Sequence, residues 1–173
     1  MADLWIFGYG SLMWRPGFDH AERQPALLRG AHRSLCVYSY VHRGTEEQPG
    51  LVLGLDCGGS CRGIAFRVKS ASASETLEYL RSREQVTMVY REALRSIRLL
   101  GETSRKVRAV CFLVDRGHPQ YAGSLPVSRQ AELVARGHGQ SGDNVEYVVN
   151  TLSHLDEMGL KENALKQLMA QLV

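Results

Sequence analysis

Leu4-Trp5-Ile6-Phe7-Gly8, running straight into Tyr9-Gly10-Ser11-Leu12, is the stretch on which the fold turns. The first part is apolar, β-favouring text and reads as a buried strand. The second part turns that strand into a tight, donor-rich loop. Gly8 and Gly10 can take positive φ and let the backbone approach a ligand closely, and Ser11 adds a hydroxyl to the amides of the turn. Such a nest fits a small anion, and the carboxylate of an amino acid is one. The competing reading is a strand end with a glycine turn.

Outward from this stretch, a polar loop is expected from Arg15-Pro16 to about Pro25, then a strand over Ser34 to Val41, where alternation sets in. After a Gly/Pro-marked loop from His42 to Gly50, Leu51 to Asp56 and Arg62 to Val68 read as a hairpin turning at Gly58-Gly59. Two further strands, Ala93 to Leu100 and Lys106 to Val114, flank Gly101-Glu102-Thr103-Ser104. Ser72 with Glu75 has the spacing of a capping box opening a helix, and Asp143 with Glu146 repeats it. The second of these helices stops at Gly159; a short helix over Ser128 to Arg136 precedes it, and a last one places Leu165, Leu168, Met169 and Leu172 on one stripe. No βαβ alternation runs along the chain. The expected fold is α+β, a curled, barrel-like sheet whose open side the three C-terminal helices cover.

Length and composition bound the function. At 173 residues and 44% hydrophobic, without repeat or low-complexity tract, the chain reads as one domain with ample core. A net charge of +3, with arginines scattered among apolar residues, gives no basic block for nucleic acid. No apolar run approaches the ~20 residues that span a bilayer, and Asp3 stands where a signal peptide carries basic residues, so a cytoplasmic protein is expected. The four cysteines, Cys36, Cys57, Cys61 and Cys111, are too few and dispersed for a disulfide framework. Cys57 and Cys61 have no second Cys or His pair at matching spacing, so no metal is expected.

The second informative residue is Glu84. Ala73, Leu77, Leu80 and Glu84 are spaced i, i+4, i+7 and i+11, which puts a carboxylate on the apolar face of its helix, in the last turn. Burial and the negative end of the helix dipole both favour its protonated form, as suits a base that must later act as an acid. A salt bridge to Arg81, Arg83 or Arg91 is the alternative. A loop holding an amino-acid carboxylate, with a base near the neighbouring ammonium, suits attack by that amine on its own side-chain carbonyl. A serine-hydrolase reading fails because Ser11 is not in a Gly-x-Ser-x-Gly elbow. A dinucleotide site fails because Met13 stands where the third glycine belongs. No cofactor is implied.

Taken in order, Gly8-Tyr9-Gly10-Ser11-Leu12-Met13-Trp14-Arg15-Pro16, His42-Arg43-Gly44 with Pro49-Gly50, Cys61-Arg62-Gly63-Ile64-Ala65-Phe66-Arg67, Tyr79-Leu80 with Arg83-Glu84, and Ser141-Gly142-Asp143-Asn144 with Glu146-Tyr147 resemble the ChaC-type γ-glutamylcyclotransferases over nearly the whole chain. The resemblance implies a small mixed β-barrel flanked by helices, in one domain over residues 1–173. It also implies a cytosolic, cofactor-free enzyme that converts reduced glutathione to 5-oxoproline and cysteinylglycine. Glu84 is then the acid/base, and Gly8, Tyr9, Gly10, Ser11 and Leu12 form the loop that holds the γ-glutamyl group. Tyr147 reaches the same pocket, or is a half-buried helix residue beside Val148; Arg43 meets the glycine carboxylate of the tripeptide, or is simply solvated. Other γ-glutamyl amino acids or amines, or a catalytically silent binding module, remain alternatives. The chain departs from family members that carry a glycine after the catalytic glutamate: Gln85-Val86-Thr87-Met88-Val89 has none, and a stiffer, more apolar loop is expected there.

Overall fold

The computed structural model describes residues 2–172. In chain order the main elements are β1 (Leu4–Gly8), β2 (Glu22–Ser39), β3 (Gly50–Val68), α1 (Ala73–Glu84), β4 (Tyr90–Leu99) and β5 (Arg105–Val114). They are followed by α2 (Val127–Arg136), two short strands β6 (His138–Gly139) and β7 (Gly142–Asp143), α3 (Asn144–Glu157) and α4 (Asn163–Leu172). The chain divides into two compact units: the first joins the chain up to Arg33 with Leu55–Asp115, and the second joins Ser34–Gly54 with the chain from Arg116 onward.

Strands β1 to β5 form a closed barrel in the order β1-β3-β2-β4-β5. Closure comes from a parallel seam, Trp5 opposite Ala109 and Ile6 opposite Val110, while β1 lies antiparallel to β3 from Leu4↔Val68 to Gly8↔Ile64. The sheet therefore has no open side for helices to cover, and that expectation is corrected. Closure also removes the edge strands that would otherwise invite pairing with other chains. The two expected strands β4 and β5 pair antiparallel, in register from Tyr90↔Val114 to Leu99↔Arg105.

Two strand assignments change, both for the same reason. Strand β2 begins at Glu22, so Pro25 lies in it and not in a loop, its carbonyl accepting from the Leu100 amide at 2.8 Å. Ala26 and Leu28 are buried, but beyond Gly30 (φ 89°) the buried set passes to Ala31, Arg33 and Leu35. This shift of phase hides one long strand from a period-two reading. The supposed hairpin is likewise a single strand, β3, in which Gly58 and Gly59 take φ of 97° and 71°. Leu51, Leu53 and Leu55 are buried before them and Ile64, Phe66 and Val68 after them, again with the phase changed. The paired glycines bend the strand without reversing it.

The first unit's core draws Ile6, Val68, Val110 and Phe112 from the barrel, Leu80 from α1 and Leu12 from the turn after β1 into one cluster, with Leu77 and Tyr79 packed against it. In the second unit α2, α3 and α4 pack on one another and bury Leu133, Val134, Val148, Leu155, Leu165 and Leu168. Helix α3 ends as expected at Gly159 (φ 72°), where the Leu160 amide reaches back to the Leu155 carbonyl at 2.9 Å.

Neither capping box forms. Ser72 is already held in a one-turn 3-10 helix, with φ −105° and ψ 1°, outside the extended geometry from which a cap side chain reaches the next amides. Asp143 is extended, but its carboxylate lies 2.6 Å from His138 Nδ1 across β6 and β7.

Candidate active site

The signature loop is organised by its buried neighbours. Gly8 and Tyr9 are buried, Leu12 is 5% exposed inside the core cluster, and Ser11 is exposed. Leu12 thus anchors the loop from below, while Gly10 and Ser11 are the members facing outward. The expected positive φ does not occur: Gly10 sits at φ −130°, ψ −132°, and Gly8 is absent from the left-handed residues. Close packing constrains Gly8 and the facing Gly63 instead. A Cβ on Gly8 would lie 3.1 Å from the Leu12 Cβ, and one on Gly63, in the facing strand, would run into the Gly8 carbonyl. Ser11 opens a 3-10 turn in which the Met13 amide donates to the Gly10 carbonyl at 2.9 Å and the Arg15 amide to the Ser11 carbonyl at 2.7 Å. The first amides of such a turn have no partner within it and point at its N-terminal side, where negative charge is favoured.

Arg33 is a residue that sequence reasoning missed. Only 8% exposed, it donates through Nε to the Tyr9 carbonyl at 2.6 Å and through Nη2 to the Arg62 carbonyl at 2.7 Å, tying the start of the loop to β3. Its partners lie far away in sequence, so no local signal marked it.

Glu84 ends α1 on the face predicted. Ala73 and Leu80 are buried, Leu77 is half-buried, and the Glu84 side chain is 17% exposed. Because Leu80 stands one turn before Glu84 and Leu12 follows Ser11 directly, the burial of Leu80 and Leu12 in one core cluster sets the carboxylate and the loop on a common base. Of the three arginines weighed as partners, Arg81 is held by Glu92 at 2.7 and 3.0 Å, whereas Arg83 places Nε 3.5 Å from Glu84 Oε1. Burial pushes the Glu84 carboxyl above the usual carboxylate range, and Arg83 draws it back part of the way. A carboxylate so placed accepts a proton more readily than an exposed one and can return it.

The loop after Glu84 is apolar, as expected, with Val86 73% and Met88 58% exposed before Val89 returns to the core. Met88 adopts φ 61°, so it does what a glycine would do at lower strain. Met88→Gly is expected to raise stability by up to about 1 kcal/mol, the relief of the left-handed conformation exceeding glycine's extra chain entropy. Thermal unfolding checks this, and a lowered Tm would contradict it.

Arg43 and Tyr147 belong to the second unit, where they meet each other. The Arg43 guanidinium lies 5.6 Å from the Tyr147 ring centroid, donates to the Asp143 carbonyl at 3.0 Å and stands 3.8 Å from Glu146. It is 17% exposed, so it is not a solvated loop arginine. Tyr147 is half-buried beside the buried Val148, and its hydroxyl accepts from the Leu53 amide at 2.9 Å. One turn earlier on α3, Asn144 is fully buried; its Oδ1 accepts from the Leu51 amide at 2.7 Å and its Nδ2 donates to the Leu51 carbonyl at 2.8 Å. Two residues spaced i, i+3 on a helix therefore serve two amides spaced i, i+2 on a strand. Its partners are backbone groups 93 residues away, so no local signal in the sequence marks Asn144 as a structural lock.

The cysteines Cys36, Cys61 and Cys111 are buried and Cys57 is exposed, all as thiols. Burial raises the Cys111 thiol to about 12, leaving it unreactive near neutral pH. With β3 unbroken, no hairpin turn pairs Cys57 with Cys61. Among the described residues no group of three or more His, Cys, Asp or Glu could hold a metal ion, and no helix is long and apolar enough to cross a membrane.

A family model described as ChaC-like protein matches residues 4–173. The chain is 34% identical over 166 residues to the glutathione-specific γ-glutamylcyclotransferase of Escherichia coli K12, covering 96% of this chain and 71% of that protein. It is 31% identical over 158 residues to the human glutathione-specific γ-glutamylcyclotransferase 1, covering 90% and 71%. A crystal structure of a yeast γ-glutamylcyclotransferase specific to glutathione shares the fold, with a TM-score of 0.86 at 22% identity over 99% of this chain and 98% of that one.

Proposed function

The chain belongs to the ChaC-like family, and from that premise we propose that it is a glutathione-specific γ-glutamylcyclotransferase, a lyase releasing 5-oxoproline and cysteinylglycine. The observation that carries the reading to this chain's own residues is a mostly buried carboxylate, Glu84, built on the same core as the Ser11 turn. Relatives named for this reaction, with about a third of residues identical over most of the chain, support the substrate. A match running from residue 4 to 173 without interruption supports one enzyme domain, and the named activity suits a cytosolic protein.

Glu84 takes a proton from the α-ammonium of glutathione. The freed amine attacks the γ-carbonyl and closes a five-membered lactam. Protonated Glu84 gives that proton to the departing cysteinylglycine nitrogen as the γ-amide C–N bond breaks, then takes the surplus proton from the new ring nitrogen and releases it to solvent, so one carboxyl group serves every transfer. The amides at Gly10 and Ser11 and the Ser11 hydroxyl hold the α-carboxylate, and the attacking amine gains from being attached to its own electrophile.

The test is turnover of a panel at several pH values: reduced glutathione, γ-glutamyl dipeptides and γ-glutamylamines, with 5-oxoproline as readout. Glutathione is expected to dominate. The acid limb of kcat/KM is expected above the ordinary carboxylate range, because activity needs ionised Glu84 and falls as pH drops through its raised pKa. Dipeptides or amines turned over in preference would keep the reaction class and overturn the glutathione assignment. Tight binding of glutathione without any product would mark a binding module instead.

A further inference from the structure

Arg83 makes more contacts around Glu84 than an ion-pair partner needs. It stands in the last turn of α1, its side chain 21% exposed. Nη1 donates to the Arg15 carbonyl at 2.7 Å and lies 3.1 Å from both the Pro16 carbonyl and the Tyr79 hydroxyl, while Nη2 donates to Ser11 Oγ at 3.0 Å. Nε faces Glu84 Oε1 at 3.5 Å. One planar, rigid fork thus touches both ends of the turn, its own helix and the carboxylate. Its bond to Ser11 has a chemical consequence. The serine oxygen is used as an acceptor, so the single O–H of this exposed side chain remains to donate to another acceptor.

We infer that Arg83 is a positioning residue for the reaction: it fixes Glu84 at a set distance from the Ser11 turn and turns the Ser11 hydroxyl toward the substrate carboxylate. The inference rests on Glu84 being the acid/base. A lysine cannot replace the arginine here, because a single ammonium cannot reach loop carbonyls, serine oxygen and carboxylate in the same fixed geometry. The charge has a separate duty. Arg83 is the charged group acting on Glu84 among the described residues; Tyr79, on the preceding turn, meets Arg83 through its hydroxyl, and Arg81 is occupied by Glu92.

Charge and fork separate in Arg83→Gln and Arg83→Lys. Arg83→Gln is expected to lose about 10- to 100-fold in kcat/KM, since misplacing reacting groups by about 1 Å can cost about 10²-fold, and to move the acid limb to higher pH. Arg83→Lys is expected to keep the acid limb in place while KM rises, and adding Ser11→Ala to it should cost little more, because the hydroxyl has already lost its orientation. Titration of the Glu84 carboxyl carbon by NMR reads the same coupling without substrate, its midpoint rising in Arg83→Gln and staying in Arg83→Lys. A midpoint unchanged in Arg83→Gln, a wild-type KM in Arg83→Lys, or fully multiplicative losses for Ser11→Ala and Arg83→Lys would overturn the inference. Wild-type protein that makes no 5-oxoproline would instead overturn the assignment of the reaction, with the carboxyl titration still deciding the role of Arg83.

Discussion

Glu84→Gln is expected to lower kcat for glutathione by about 10²- to 10⁴-fold, the usual worth of a positioned general base, with no loss of stability near neutral pH. The amide keeps the shape and much of the packing of the carboxyl but cannot take the ammonium proton. The stability half follows from proton linkage. Burial raises the folded-state pKa of Glu84 above its unfolded value, so between those two values the folded chain binds more protons than the unfolded one. Stability therefore falls as pH rises through that window, and above it the carboxylate is a fixed burden. Glutamine carries no such burden, so the variant should match or exceed the wild-type Tm at pH 7 and lose that advantage in acid. Loss of activity together with a lower Tm would point to a structural residue; retained turnover would remove Glu84 from the chemistry.

Asn144→Leu is expected to give the largest loss of stability, about 3 kcal/mol or roughly 6–12 °C in Tm. Asn144 is fully buried and satisfies both the amide and the carbonyl of Leu51, itself fully buried. Leucine fills much of the same space yet leaves that N–H and C=O without the partner they had, each at about 1–3 kcal/mol. It also frees the start of α3, the helix that carries Tyr147 and, through Asp143 and Glu146, holds Arg43. Differential scanning calorimetry checks this, and an unchanged Tm would show that α3 is held on β3 by other contacts.

What sequence could reveal divides along physical lines. Strand β1, the turn after it, strands β4 and β5 and the placement of Glu84 opposite solvent all follow from local spacing, and all are found. The long strands escape a local reading because Gly30 and the Gly58-Gly59 pair shift the phase of alternation, so that each reads as separate pieces. Barrel closure depends on a parallel seam between strands a hundred residues apart, which no local pattern encodes. The same distance hides the supporting residues. Arg83 reaches a carbonyl 68 positions away and Asn144 an amide 93 away, and backbone partners leave no mark in composition. Chemistry that sits on one helix turn was legible; the hydrogen bonds that aim it were not.

The most direct test of the central claim is a product balance. Purified protein is incubated with reduced glutathione, and 5-oxoproline, cysteinylglycine and free glutamate are quantified in the same samples. Intramolecular attack predicts 5-oxoproline and cysteinylglycine in equal amounts with no glutamate, and both lost together in Glu84→Gln. Free glutamate rising in step with cysteinylglycine would mean that water, not the substrate's own amine, is the nucleophile, and would contradict the account.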